Sequence, residues 1–239
     1  YVSRYTDLPF LIRLDPVPGG GDGAHPGGDG DPAYVSGKFL TAEDLGGELA
    51  VSENAAFKTV LLDGVTGEPV VPNGSLGHRY GDDGIGKWNL DLGDVVPMLS
   101  VTGGDLAPVQ VQLPRFDEPT GAAAVLTRGV PVRRVNGHLV TTVFDLMLAQ
   151  YGVARDGMPG SWPTGYDDVD EPYTPAWQEV VTGVPAAAAA RIGREFAANA
   201  EESTGRSMII MGAGTNHWFH SDTIYRSFLT LTNLTGCQG

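Results

Sequence analysis

The chain has 239 residues with 34 glycines and 17 prolines, so turns and irregular backbone must occupy much of it. Fifteen Lys and Arg against 29 Asp and Glu leave a net charge of −14, which excludes a general nucleic-acid or anionic-membrane surface, since both need basic patches. The single cysteine, Cys237, excludes an internal disulfide framework, a four-cysteine zinc site and a self-contained iron–sulfur cluster.

The chain opens Tyr1-Val2-Ser3-Arg4-Tyr5, without Met, a basic n-region or an apolar h-region, so no signal peptide is expected. It closes Thr235-Gly236-Cys237-Gln238-Gly239, inside a glycine turn. Both ends read as cut, which predicts an interior piece of a longer chain. No run is long and apolar enough to span a bilayer.

Residues 5–15 predict a turn and a short apolar strand, with 1–15 as the end of a preceding domain. Residues 16–33 form a Gly/Asp/Pro loop that cannot build a packed element and is expected to be flexible. Its Asp22, Asp29 and Asp31 lack the alternating ligands and terminal Glu of an EF-hand. Residues 34–165 read as a strand- and turn-rich insertion. Tyr34–Leu40 and Lys58–Asp63 are its first strands; Asp63-Gly64, Thr66-Gly67 and Asn73-Gly74 are turns. Asn73-Gly74-Ser75 and Asn233-Leu234-Thr235 match the glycosylation triplet, but nothing secretory accompanies them. Within 138–152, Val140, Val143, Phe144, Met147, Leu148 and Tyr151 recur at helical spacing, which predicts one amphipathic helix closed by Gly152.

Residues 166–239 carry a different pattern. Tyr166-Asp167-Asp168-Val169-Asp170-Glu171 reads as a solvated acidic turn without a partner base. Thr174 caps a helix that Pro175 begins, and a second helix runs from Pro185 to about Ser203. Ser207–Met211 is expected to be a buried strand, followed by the turn Gly212-Ala213-Gly214 and a helix capped by Ser221 or Asp222. Helix, strand, glycine turn, helix is the half-unit of an open Rossmann-like α/β sheet. The predicted fold class is therefore α/β: an irregular α+β insertion followed by the start of such a sheet.

Chemistry concentrates at that turn. A strand ending in Gly-Ala-Gly lets the backbone approach a ligand, and a following helix offers free N–H groups to an anion. A plain structural turn remains open as the alternative. His217 stands where a dinucleotide fingerprint would place its third glycine, so an NAD site fails on spacing. His217 and His220 could share a helix face, yet no third metal ligand has matching spacing, and no metal site is assigned. Arg226, further into the helix, could meet a phosphate or only a surface carboxylate. The four tryptophans, Trp88, Trp162, Trp177 and Trp218, are expected to pack. No Gly-x-Ser-x-Gly elbow, P-loop or His-Glu-x-x-His motif occurs.

The run Gly205-Arg206-Ser207-Met208-Ile209-Ile210-Met211-Gly212-Ala213-Gly214-Thr215-Asn216-His217-Trp218-Phe219-His220 resembles the catalytic alpha subunits of respiratory nitrate reductases. Tyr5–Pro9, Val71–Gly77, Gly86–Leu90, Thr142–Leu146 and Tyr173–Trp177 add to the likeness, in the family's order. Residues 102–130 match poorly, and 16–33 are longer and richer in glycine. The resemblance implies a fragment of a molybdopterin oxidoreductase of the dimethyl-sulfoxide-reductase type, reducing nitrate to nitrite. It implies molybdenum carried by two molybdopterin guanine dinucleotides, with iron–sulfur clusters whose ligands, like the molybdenum-ligating Asp, lie outside these residues. Gly212, Gly214, Asn216 and His217 are then the expected cofactor-binding residues, with His217 as the catalytic one. Expected partners are nitrate, an iron–sulfur beta subunit and a membrane-anchoring gamma subunit, which would hold the chain at the cytoplasmic face of a bacterial membrane without direct insertion. Two alternatives stay open: another oxyanion reductase of the same superfamily, or a non-catalytic truncated scaffold.

Overall fold

The computed structural model describes residues 1–17, 34–72, 92–104, 106–118 and 124–237. Most of the loop expected over 16–33, the Asn73-Gly74 turn and Trp88 lie outside these residues. Eight strands are described: β1 (Leu11–Pro16), β2 (Tyr34–Phe39), β3 (Leu61–Leu62), β4 (Pro69–Val70), β5 (Val109–Pro114), β6 (Val125–Val130), β7 (Arg133–Val135) and β8 (His138–Thr142). The α-helices are α1 (Val2–Tyr5), α2 (Ala42–Leu45), α3 (Gly47–Ala50), α4 (Val143–Gln150), α5 (Pro175–Thr182), α6 (Ala186–Ser203), α7 (Ala213–Asn216) and α8 (Ser221–Thr235).

Alternation decides the sheet. Along β5, Val109, Val111 and Leu113 are buried while Gln110 and Gln112 are partly exposed, the period of a strand with one face on a core. Six strands join in the order β6-β5-β2-β1-β8-β7, and β3 pairs with β4 separately. The β2–β5 pair is parallel; the other pairs of the large sheet are antiparallel. Residues 1–15, set apart on sequence grounds, therefore supply a strand near the centre of this sheet. The two edge strands, β6 and β7, are consecutive in the chain with only Pro131 and Val132 between them, so the sheet must curl back on itself. The Thr141 hydroxyl donates to the Pro131 carbonyl at 2.8 Å and ties the corner down.

Inside the curl, Leu14, Val109, Val111, Leu113, Val130, Val132, Leu139 and Ala149 form one core, with Trp162 against it. A second core of Leu11, Leu40, Val60, Leu62, Val135 and Val140 packs the opposite face.

The single helix expected over 138–152 is two elements. His138–Thr142 is strand β8, paired to β1 and β7, and the helix begins only at Val143. Thr142 marks the junction, its hydroxyl accepting from the Asp145 amide at 3.0 Å as an N-cap. Pairing on both sides overrides the helical periodicity of Val140.

Beyond residue 165 the character changes. Thr174 caps α5 as expected, accepting from the Trp177 amide at 3.0 Å, and Gly183 ends it in the left-handed conformation. Ser207–Met211, expected as a buried strand, forms neither strand nor helix, and Met208 and Ile210 are 76% and 86% exposed. No strand of the described residues lies beside it.

Candidate functional site

The glycine turn is built as a short helix rather than a loop. Gly212 is extended (φ −141°) and caps α7, which contains Gly214 and ends at Asn216. His217 follows with an ordinary right-handed backbone, and His220 (φ +59°) caps α8. Neither glycine is demanded by its backbone or by a neighbour, for a Cβ added at Gly212 or Gly214 would meet nothing within 4 Å. Gly212, Gly214, Thr215, Trp218 and Ile224 line an open groove there. Asn216 and His217 sit on the same turn but outside that lining.

His217 is exposed, and its side chain makes no hydrogen bond to the described residues. Asn216 is held, its side-chain oxygen accepting from the Tyr225 hydroxyl of α8. Trp218, expected to pack, is 72% exposed, and Phe219 stands beside the His220 ring. The expected anion site at a helix N-terminus finds little support: α7 has four residues, and α8 carries Asp222 in its own first turn. Arg226 is exposed on α8 and forms no ion pair with the described residues. Among the described residues no three His, Cys, Asp or Glu side chains gather as a metal site. None of their helices is long and apolar enough to cross a membrane.

Sequence reasoning missed the strongest polar centre. Arg128 on β6 is fully buried, which an unpaired guanidinium could not sustain. Its Nη1 donates to the carbonyls of Ala149 (2.9 Å) and Gln150 (3.2 Å), closing the end of α4. Its Nε donates to Ser161 O at 2.9 Å, and its Nη2 pairs with Glu171 at 3.0 Å. Trp162 lies 5.6 Å from the guanidinium carbon. The backbone must come close for this: Gly160 has φ +106°, and a Cβ there would fall 2.5 Å from the Thr127 carbonyl. Glu171, read as part of a solvated turn without a base, thus has its partner 43 residues upstream. Asp168 shapes the same turn. Backbone N–H groups of Thr164, Glu171 and Asp170 hold its carboxylate charged and pull its pKa down to about 2.

A second buried charge organises the start of α4. Asp145 accepts from Ser100 Oγ (2.6 Å), the Val101 amide (2.9 Å) and Thr142 Oγ1 (2.9 Å), and pairs with Arg155. Neither pair contributes a residue to the lining of the glycine turn's groove.

Comparison with known proteins decides what this framework belongs to. The chain is 59% identical over 244 residues to the nitrate reductase alpha subunit of Mycobacterium tuberculosis, covering all of this chain and 18% of that protein. This chain is homologous to a segment of nitrate reductase alpha subunits. The respiratory nitrate reductase 1 alpha chain of Escherichia coli is 39% identical over 257 residues, again across the whole chain and 19% of the relative. The perchlorate reductase alpha subunit of Dechloromonas aromatica is 42% identical over 250 residues, with the same 19% covered. The chain thus spans about a fifth of the length of these relatives. No family model matches it. The identity runs through the sheet framework and the exposed helical part alike.

Proposed function

We propose that these residues form part of an alpha subunit that reduces nitrate to nitrite, and that the turn from Gly212 to His217 contributes to its cofactor pocket. One observation carries the reading: 59% identity to a nitrate reductase alpha subunit, sustained from end to end of the chain. The group we assign is molybdenum held by two molybdopterin guanine dinucleotides, with iron–sulfur clusters bound elsewhere in the subunit. The residues present fit a large polar cofactor in one respect, the free space above Gly212 and Gly214. Residues 166–239 then open a Rossmann-like cofactor domain.

When bound, the molybdenum group supplies the two-electron chemistry. This chain supplies position and charge. Gly212 and Gly214 let the main chain approach the dinucleotide, and the Tyr225 hydroxyl holds the Asn216 side chain on the same turn. His217, whose ring meets no hydrogen-bond partner among the described residues, donates an N–H to the oxyanion. Each turnover consumes two protons and two electrons and releases one water with nitrite, and His217 delivers one of those protons from its ring nitrogen. We assign an iron–sulfur beta subunit as electron donor and a membrane-anchoring gamma subunit, placing the assembly at the cytoplasmic face of the membrane.

A second reading, reduction of a different oxyanion, is favoured by the 42% identity to a perchlorate reductase alpha subunit. Nitrate- and perchlorate-dependent oxidation of a reduced viologen, measured on the complete subunit with molybdenum quantified, separates the two. Nitrate should be the better substrate by kcat/KM. Turnover of perchlorate but not nitrate would replace the first reading by the second, and neither activity in molybdenum-loaded protein would overturn both.

A further inference from the structure

The end of α4 and the start of α5 enclose a groove of about 310 Å³ that lies apart from the glycine turn. Tyr151, Val153, Pro163, Tyr166, Tyr173 and Pro175 line it. Its walls are pinned to one another. A Cβ at Gly152 (φ +72°) would fall 2.7 Å from the Pro163 ring, and the Ala176 amide donates to the Tyr166 carbonyl at 3.0 Å. Tyr173 holds φ +75°, uncommon for a bulky residue and a source of backbone strain of the kind that gathers at ligand clamps. Its ring packs against Phe116 and Trp177, and its hydroxyl accepts from the Phe116 amide at 3.0 Å. Tyr151 and Tyr166, by contrast, are 49% and 63% exposed, and neither hydroxyl has a partner among the described residues.

The charge beside the groove is one-sided. Asp168 accepts from the Thr164 amide at 3.0 Å and from its hydroxyl at 3.1 Å, which sets one carboxylate at the lip. Asp167 sets a second there: its Oδ1 would lie 2.9 Å from a Cβ at Gly165, and it has no ion-pair partner among the described residues. The nearby arginines, Arg128 and Arg155, are committed to Glu171 and Asp145. A preformed groove of tyrosine and proline suits a polyproline II segment, whose carbonyls are all unbonded and open to hydroxyl donors. Carboxylates at the lip repel an acidic segment and attract one that carries Lys or Arg.

We propose that this groove docks an extended, proline-bearing segment of a separate polypeptide, with a Lys or Arg of that segment set against Asp167 and Asp168. Prolines of the segment lie on the Tyr151 and Tyr166 rings, and its carbonyls accept from the two free hydroxyls. The proposal rests on the groove itself and on neither the substrate nor the cofactor assigned above.

Titrating the complete alpha subunit with a fluorescent peptide of alternating proline and arginine tests it. The peptide should bind saturably, and versions with glutamate for arginine or glycine for proline should bind at least about tenfold more weakly. Tyr151→Ala and Tyr166→Ala should each weaken the first peptide about tenfold while leaving the thermal unfolding of the subunit unchanged. Tyr166→Phe, which keeps the ring, should weaken it less. Asp167→Asn should weaken it about threefold at low salt and have no effect at about 1 M salt. No saturable binding, equal binding of the glutamate or glycine version, or indifference to both tyrosine→Ala substitutions would overturn the proposal. So would a concentration-dependent dimer that those substitutions abolish, which would give the groove to a second copy. Binding is read whether or not the subunit reduces nitrate, so a failure here leaves the functional reading standing and the reverse holds too.

Discussion

Residues 1–174 and 175–237 solve the burial problem in opposite ways. In the first, a curled sheet closes over two apolar cores and two buried ion pairs. In the second, Ala200 is the only buried hydrophobic residue among those described, while Ile192, Met208, Ile210, Trp218 and Phe219 are all more than half exposed. The first region carries its own core, so its side chains are fixed by one another. The second shows amphipathic helices around an extended apolar segment, the pattern of a layer that needs a further layer. The region that bears the candidate site is the one with the least burial among the described residues.

The largest effect should come from the first region's buried charge. Arg128→Ala strands Glu171 and three carbonyls, and should cost about 3–5 kcal/mol in urea unfolding of the chain. A loss below about 1 kcal/mol would mean that the framework does not depend on this residue. Thr142→Ala removes the cap that divides β8 from α4 and should cost about 1–2 kcal/mol in the same assay.

A smaller, local effect concerns the turn that delivers Glu171. Because its folded pKa is lowered, Asp168 stabilises the 164–171 turn fully above the ordinary Asp range. That contribution is lost as pH falls through about 2. A carboxyl titration followed by NMR should place its midpoint near pH 2 with Thr164 amide shifts moving in step; a midpoint near 3.8 would show that the turn's N–H groups do not hold it.

The smallest effect should be that of Ile210→Asp in the 239-residue chain, within about 0.5 kcal/mol for an exposed site. The contrast with Arg128→Ala measures how far the two regions differ. A large loss at Ile210 in this chain would erase it.

How much of this was legible depended on range. Local signals were read correctly where local chemistry decides, as at the Thr174 cap with Pro175 behind it. The β8–α4 boundary was missed although Thr142 and Asp145 carry the Thr-x-x-acid spacing of a helix start, because the hydrophobic period ran through it. The pairing of Arg128 with Glu171 spans 43 residues and has no local signature, so only the folded chain could show it. Ser207–Met211 was read as a buried strand from its apolar run; exposure alternates along it, but among the described residues it joins no sheet and Met208 and Ile210 are exposed. At the candidate site the sequence located the turn and named Gly212, Gly214, Asn216 and His217. It did not foresee α7, or Tyr225 holding Asn216.

The most direct measurement of the central claim compares His217→Ala with His220→Ala in the complete subunit, assaying nitrate turnover together with molybdenum content and folding. If His217 serves the reaction, His217→Ala should remain folded and molybdenum-loaded and lose about 10²-fold in kcat with little change in KM, the pattern of an interaction made chiefly in the transition state. His220→Ala, at the cap of α8, should lose clearly less. Equal and small losses from both substitutions would contradict the account and leave His217 as a surface residue of the turn.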